Sequence, residues 1–430
     1  MLENVRNWPI VKRAGQAFYG WRIVAASGIA SALGSGLCFY GFSVFFLPIT
    51  ESLNLSRAAT SLVFSLSRAE GSIEGPAAGY LIDRLGPRKV IFAAASMMGI
   101  GYILLSKVDS FLTFLLVYMG VISFGFNAGV MHVPMASVTS WFVRRRGLAM
   151  GIVMAFMGIG GAFIPPALST GIQLYGWRTT ALLSGLVSLV VIVPLSVVFR
   201  RSPESMGLLP DGDSAKVEMN QGMDEPSVPV EADFTAAEAL RRASFWVVTL
   251  ATCLRIAGHM AFIIHFVPIM VWKGTSEPTG AFMLGTMALI SIPLRILIGW
   301  IGDRFSRARV IALGSVVGAT VLMLLNYAQL GWQLWTLVAF MAIGESVGPQ
   351  TWALVGDLFG RRRFATIRGL MSMFTGLAAA VMPVAAGMIF DVTRSYNLTL
   401  WISGALMIMS AIVFAILRPP SRPVRQNISS

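Results

Sequence analysis

Apolar runs close to 20 residues long recur along nearly the whole chain, separated by short breaks that hold most of its charge, Gly and Pro. At 1.5 Å of rise per residue, a helical run of that length crosses a hydrocarbon core of roughly 30 Å. The recurrence predicts an all-α membrane protein. Composition agrees, since 56% of the 430 residues are apolar and 12% are charged, about half the charged share of a soluble domain. A net charge of +13 invites a nucleic-acid reading, but the basic residues alternate between loops and form no single patch with interleaved aromatics, so no nucleic-acid partner is expected. Cys38 and Cys253 both lie inside apolar runs, which leaves no disulfide framework or metal-ligand cluster to read. The first run is too long for a signal-peptide core and is expected to be retained.

Charge, Gly and Pro punctuation predicts twelve helices at about 20–48, 57–82, 89–107, 111–137, 147–172, 178–199, 244–272, 278–302, 309–327, 332–356, 365–391 and 397–417. With the N-terminus in the cytoplasm, 25 Lys and Arg fall in cytoplasmic segments and five outside (Arg57, Lys107, Arg178, Lys273, Arg394), while Arg68, Arg255 and Arg295 lie within spans. The positive-inside rule then predicts a multi-pass protein of the cell inner membrane with both termini cytoplasmic. The one long polar break, Arg200 to Ala243, turns acidic (Asp211, Asp213, Glu218, Asp224, Glu225, Glu231, Asp233) and reads as a linker. Within it Thr235 and Glu238 form a capping-box pattern that predicts a short interfacial helix before span 7.

The chain also repeats itself. Gly79-Tyr-Leu-Ile-Asp83-Arg84 after span 2 recurs as Gly299-Trp-Ile-Gly-Asp303-Arg304 after span 8, an offset of 220 residues from 83 to 303. Phe142-Val-Arg144-Arg145-Arg146 after span 4 recurs as Phe359-Gly-Arg361-Arg362-Arg363 after span 10, an offset of 217 from 144 to 361. Two matches at nearly equal offset predict two copies of a six-helix unit related by a pseudo-two-fold axis along the membrane normal. The expected division is an N-terminal bundle over 1–200, a linker over 201–243 and a C-terminal bundle over 244–430.

The string GYLIDRLGPRK from Gly79 resembles the loop between helices 2 and 3 of the major facilitator superfamily, with Pro87 interrupting the usual Gly-Arg-Lys run. YGWRIV from Tyr19, YGFSVFFLPI from Tyr40, EGPAAGYLIDRLGPRK from Glu74, RRSPESMGLLPDG from Arg200 and HFVP from His265 are similar to the bacterial branch related to monocarboxylate transporters and oxalate:formate exchangers. The resemblance spans essentially the whole chain. It implies a transporter, not an enzyme, working by alternating access without a cofactor.

Ionisable residues inside spans carry the functional reading, because each costs about 2.5–3.5 kcal/mol at a bilayer centre unless it faces a cavity or a partner. Arg295 lies eight residues before Asp303, roughly 12 Å inside the end of span 8. A guanidinium there suits a carboxylate through two parallel hydrogen bonds, and the resemblance implies the same carboxylate-binding role; the alternative is an ion pair with an acid of span 2 or span 10. In those relatives an acid often stands one turn earlier, where this chain has Ser291. Arg255 and His259 share one face of span 7 at i, i+4; His259 suits a coupled proton or a solute contact, and His265 beside Pro268 suits a break. Glu70 and Glu74, also at i, i+4, are candidates for holding a proton between them or for pairing with Arg68 or Arg255.

Asn127 and His132 in span 4 answer to Glu345 and Gln350 in span 10 at an offset of 218 residues. These four are read as cavity liners or interhelical hydrogen bonds, with Glu345 also a proton candidate. Tyr40, with Phe39 and Phe42, suits the pocket wall or plain packing. Asp83, Arg84, Asp303 and Arg304 suit a charged latch between helix ends that breaks as the protein changes state. The expected activity is secondary transport of a small organic anion, monocarboxylate in type, with proton symport or anion exchange, by a monomer in the lipid bilayer. Proton-driven export of hydrophobic compounds is the alternative; span 5 reads GIGGAFIPP from Gly158 and lacks the G-x-x-x-G-P pattern of such exporters. No nucleotide loop, metal cluster or nucleophile with a base is readable.

Overall fold

A computed structural model describes residues 18–212, 234–360 and 364–417, and their regular structure is entirely helical. The acidic linker stretch 213–233, the triplet Arg361, Arg362 and Arg363, and the side chain of Asp83 lie outside the described residues. The spans are α1 (Tyr19–Ser52), α2 (Arg57–Leu85), α3 (Pro87–Leu105) and α4 (Phe111–Trp141), then α5 and α6 within one continuous stretch Arg146–Leu195. Gly176, at φ 79°, divides that stretch into 146–175 and 177–195. After the linker come α7 (Ala243–Ile264 and Phe266–Trp272), α8 (Glu277–Arg304), α9 (Arg307–Leu325), α10 (Gly331–Ser346 and Gly348–Phe359), α11 (Phe364–Thr393) and α12 (Asn397–Ala415). Nine helices among the described residues are long and apolar enough to cross a membrane. That number reaches twelve because Arg146–Val198 is two spans, α2 carries intramembrane charge and α10 is interrupted at Val347.

Local chemistry sets the helix ends. Ser56, Ser110 and Ser276 cap α2, α4 and α8 by accepting the backbone N–H of Ala59, Thr113 and Thr279. Gly86, at φ 83°, closes α2 where a side chain would be strained. Pro87 follows at the first turn of α3, a position with no intrahelical N–H to lose. The residue that interrupts the loop pattern is therefore a helix start.

Packing follows the repeat. In the first half α1 lies against α5 and α3 against α6; in the second, α7 lies against α11 and α9 against α12. The halves meet through two pseudo-equivalent contacts, α2 on α11 and α8 on α5, with a smaller contact between α1 and α7. An even number of spans puts both chain ends on one side, here the terminus side; the opposite side is the far side.

Among the described residues, the glycines show the halves in close contact on the far side. Gly369 and Gly387 are 18 residues apart on α11, five full turns, and so share one face. A Cβ on Gly387, toward the far side, would stand 2.6 Å from the backbone N of Ala58 on α2; a Cβ on Gly369 would meet nothing within 4 Å. On α5, Gly158 presses on Ile292 of α8, whereas Gly147 and Gly151, nearer the terminus side, again meet nothing. Among the described residues, the cleft between the halves is closed on the far side and open on the terminus side.

The start of the linker is anchored. Asp211 accepts the backbone N–H groups of Val143, Arg144 and Arg145 at 2.9, 2.8 and 3.1 Å, and its φ of 60° is one that Asp tolerates. Partial burial pushes its carboxyl up, but the three amides and the Arg144 charge outweigh this and hold it below the usual carboxylate value. Beyond the gap a helix at Ala236–Leu240 has the expected capping box, Glu238 N to Thr235 Oγ1 at 3.2 Å and Thr235 N to Glu238 Oε2 at 2.8 Å. Phe234 before it is buried against Phe245 and Phe359, which docks this helix on the second half.

Candidate anion pocket between the halves

Irregular helix turns surround the cleft. In α1 a π turn, Ser35–Tyr40, ends on Tyr40, and α4 has another at Phe126–Met131. The repeat offset of 218 carries residue 129 of that second turn onto Val347, where α10 is interrupted two residues after Glu345. Such turns release side chains from the regular helical register, and interrupted helices at repeat positions are where transporters of this architecture bind solutes.

Glu345 is the centre of the polar cluster. Tyr40 donates its O–H to Glu345 Oε1 at 2.5 Å, across the two halves. Arg295 donates through Nη2 to the same oxygen at 3.0 Å. His259 Nε2 stands 3.8 Å from Oε2, too far for a hydrogen bond. The Arg295 side chain keeps 23% exposure, against 6% for Glu345, and its Nε is buried without a hydrogen-bond partner among the described residues. The ion pair with a span 10 acid, one of the two sequence alternatives, is thus present, and it uses only part of the guanidinium.

Arg255 stands differently. It is 6% exposed, one turn before His259 on α7, with Gly348 of α10 beside its Nη2. Among the described residues it makes no hydrogen bond or ion pair, and its Nε and the Nδ1 of His259 are both buried without a partner. The acid in electrostatic reach of Arg255 is Glu345, which Arg295 and Tyr40 already hold. With His259 neutral, two guanidinium groups face one carboxylate, and the pocket carries one uncompensated positive charge. An isolated buried cation costs several kcal/mol, and an anion entering the cleft removes that cost. The sequence reading centred on Arg295; the unpartnered guanidinium is that of Arg255.

The remaining sequence candidates divide. Asn127 donates to the carbonyl of Ser67 at 3.3 Å and to Ser123 Oγ at 2.9 Å, tying α4 to α2. His132 Nδ1 lies 2.6 Å from the Asn127 carbonyl and so donates to the open π turn of its own helix. Gln350 packs beside Gly299 and Gly302 of α8, its Oε1 buried and unpartnered. Glu70 and Glu74 sit together with Arg68 in the first half. Arg84 donates to the Tyr80 hydroxyl at 3.0 Å and Arg304 stacks on Trp300 at 3.7 Å. Asp303 pairs with Arg307 at 2.6 Å, and Arg307 also holds Asp357 at 2.5 Å. Arg307 and Asp357 were not singled out in the sequence, although the basic first turn of span 9 was the available signal.

Sequence reasoning also missed the far-side seal. Asp391 of α11 accepts the backbone N–H groups of Arg57 and Ala58, both at 2.9 Å, and so caps the N-terminus of α2 in the other half. Arg57 stacks on Phe390 at 3.5 Å and donates to the Tyr396 hydroxyl at 2.7 Å. His265 interrupts α7 as expected, and its Nε2 lies 3.0 Å from the Pro383 carbonyl and 2.9 Å from Ser61 Oγ. A carbonyl only accepts, so Nε2 carries the proton and Nδ1 accepts the Tyr396 O–H at 2.8 Å.

Comparison with known proteins agrees with this architecture. The family model described as Major Facilitator Superfamily matches residues 28–272 and 266–430. Monocarboxylate transporter 13 of Rattus norvegicus is 25% identical, over 91% of this chain and 87% of its own length. The oxalate:formate antiporter of Oxalobacter formigenes is 24% identical, over 75% and 73%, and a probable sulfoacetate transporter of Cupriavidus necator is 24% identical, over 86% and 87%. In fold the chain is similar to a bacterial homologue of the human lysosomal transporter Spinster, crystallised inward-facing and unoccupied, with a TM-score of 0.69, 17% identity and coverage of 94% and 96%. A family model spanning nearly the whole chain, twelve helical spans and two contacts related by the repeat establish that this protein is a member of the Major Facilitator Superfamily, a membrane transporter and not an enzyme.

Proposed function

We propose that the chain carries small organic anions bearing one carboxylate across the bacterial inner membrane by alternating access. The observation that carries this reading is Arg255, a buried guanidinium with no partner among the described residues. The substrate carboxylate binds between Arg255 and the free N–H groups of Arg295, where charge-assisted hydrogen bonds are worth about 1.5–3 kcal/mol each. His259 Nδ1 contacts the rest of the solute, and Tyr40 closes the first-half wall. The relatives are named for monocarboxylate, oxalate and formate, and sulfoacetate, which supports an anionic substrate.

The excess of Lys and Arg in terminus-side loops supports cytoplasmic termini, in which case the described state is open to the cytoplasm. Asp83 with Arg84 and Asp303 with Arg304 stand at helix ends that converge when that side closes, which suits a latch made in the opposite state. The bundles 1–200 and 244–430 rock about the pocket, with 201–243 as their tether, and a single chain holds the whole pathway.

Uptake of labelled lactate, pyruvate and oxalate into proteoliposomes preloaded with the unlabelled anion tests the reading, with glucose and choline as controls. Lactate or pyruvate enters and neither control does, whereas entry of oxalate alone contradicts a one-carboxylate substrate. Entry of choline with no anion uptake ends the proposal.

A further inference from the structure

The unsatisfied polar atoms around Glu345 fall into two sets, and together they point to a substrate class within the organic-anion reading, on which the inference rests. Among the described residues the orphaned donors are Nε of Arg255 and Nε of Arg295, and the other orphaned atoms are Oε2 of Glu345 and Nδ1 of His259. Arg255, His259 and Glu345 are all buried. His259 lies within electrostatic reach of Arg255, Arg295 and Glu345, and its Nε2 stands 3.8 Å from Oε2 of Glu345. A second proton on the ring would place a third cation beside a single carboxylate. With the ring neutral, its one proton belongs on Nε2, where it faces a carboxylate oxygen; a lone pair there would meet another lone pair. Nδ1 is then an acceptor, like Oε2. The pocket therefore holds donors without acceptors at the arginines, and acceptors without donors at His259 and Glu345.

We infer that the carrier selects 2-hydroxy monocarboxylates over their 2-oxo and unsubstituted counterparts, with His259 as the residue that sets this preference. The carboxylate takes the two guanidinium groups, and the hydroxyl on the adjacent carbon donates to Nδ1 of His259. Arg255 and His259 share one face of α7 at i, i+4, where side chains are neighbours about 5–6 Å apart at Cβ, so one small molecule spans both. A 2-oxo acid offers a carbonyl instead, which only accepts. That oxygen is set against the lone pairs of Nδ1 and Oε2 and leaves both unsatisfied. An acid with only hydrogen at that carbon leaves them equally bare. A site built around a substrate hydroxyl rejects analogues that lack it, because its own buried polar atom is then stranded.

Calorimetric titration of the purified protein with lactate, pyruvate, glycolate and acetate tests the inference. Lactate is expected to bind at least about tenfold tighter than pyruvate, and glycolate at least about tenfold tighter than acetate. Pyruvate as tight as lactate, or acetate as tight as glycolate, overturns the inference and leaves the organic-anion reading standing. If none of the four binds, that reading fails and this inference falls with it. His259→Leu removes the acceptor, and is expected to weaken lactate about tenfold while pyruvate changes little, so that the ratio of the two affinities falls toward one. If H259L is not folded and monodisperse, His259→Gln serves, since its amide N–H gives the 2-oxo oxygen a donor and lowers the same ratio by strengthening pyruvate. A lactate to pyruvate ratio unchanged from the parent in a folded variant overturns the assignment to His259.

Discussion

Tyr40 joins the two halves at the candidate pocket by a hydrogen bond to a charged group. Its O–H holds Glu345 Oε1 at 2.5 Å while Arg295 holds the same atom. Removing the hydroxyl leaves Arg295 freer to swing and loosens the register between α1 and α10. Tyr40→Phe is expected to slow exchange about tenfold, the equivalent of one charge-assisted hydrogen bond at the low end of its range. Initial rates of lactate exchange in proteoliposomes check it, and an unchanged rate would reduce Tyr40 to packing. Asp211 makes a second residue-scale prediction. Its carboxyl is held below the usual value, so its grip on the loop of Val143 to Arg145 is complete at neutral pH and is lost as pH falls through that lowered pKa. Hydrogen exchange at these three amides should accelerate in Asp211→Asn at pH 7, and in the parent only in strong acid. Fast exchange in the parent at pH 7 would show that the strap is not formed.

At the scale of elements, α2 and α11 form the far-side seal, and its parts differ in kind. Asp391 supplies a carboxylate to the α2 N-terminus, Tyr396 and His265 relay hydrogen bonds from Arg57, and Gly387 lets the backbones touch. Asp391→Asn weakens the cap, where a helix-terminal charge is worth roughly 0.3–1 kcal/mol on an exposed surface and up to about 2 when partly buried. Gly387→Ala acts by volume, since its Cβ would meet the Ala58 backbone, which has no flexible side chain to yield. Both are expected to raise far-side accessibility, G387A more than D391N, in maleimide labelling of a cysteine placed at Ser61. A labelling rate equal to that of the parent in G387A would contradict the seal.

The spans, their pairing by repeat and the interrupted helix at His265 were legible in the sequence because each leaves a local signature: an apolar run, a duplicated loop, a His near a Pro. The candidacy of Tyr40, Arg255, His259, Arg295 and Glu345 was also legible, since a polar or charged group inside an apolar span marks itself. The division of labour among them was not. Which arginine Glu345 satisfies depends on where α7, α8 and α10 cross, and no spacing within one helix encodes that. The seal was missed for the same reason, because Arg57 and Asp391 lie 334 residues apart and each alone reads as an ordinary helix-end charge.

The molecule as a whole is described in a state open toward its termini, with the pocket at the end of the cleft. A cysteine at Gly147 or Gly369 is expected to react readily with maleimide from the terminus side in the absence of anion, and to be protected when lactate or another transported anion drives the carrier through its closed states. Rapid labelling at these positions that no anion alters would contradict alternating access.

The account turns on one positive charge that the protein leaves unpaired at Arg255. Calorimetric binding of lactate, pyruvate and oxalate to the purified parent, R255K and R255Q measures it. The parent is expected to bind at least one of the three, R255Q to bind that anion about 10- to 100-fold more weakly as the loss of one or two charge-assisted bonds requires, and R255K to fall between them. Binding to R255Q as tight as to the parent would contradict the account, because the charge would then have no part in holding the substrate.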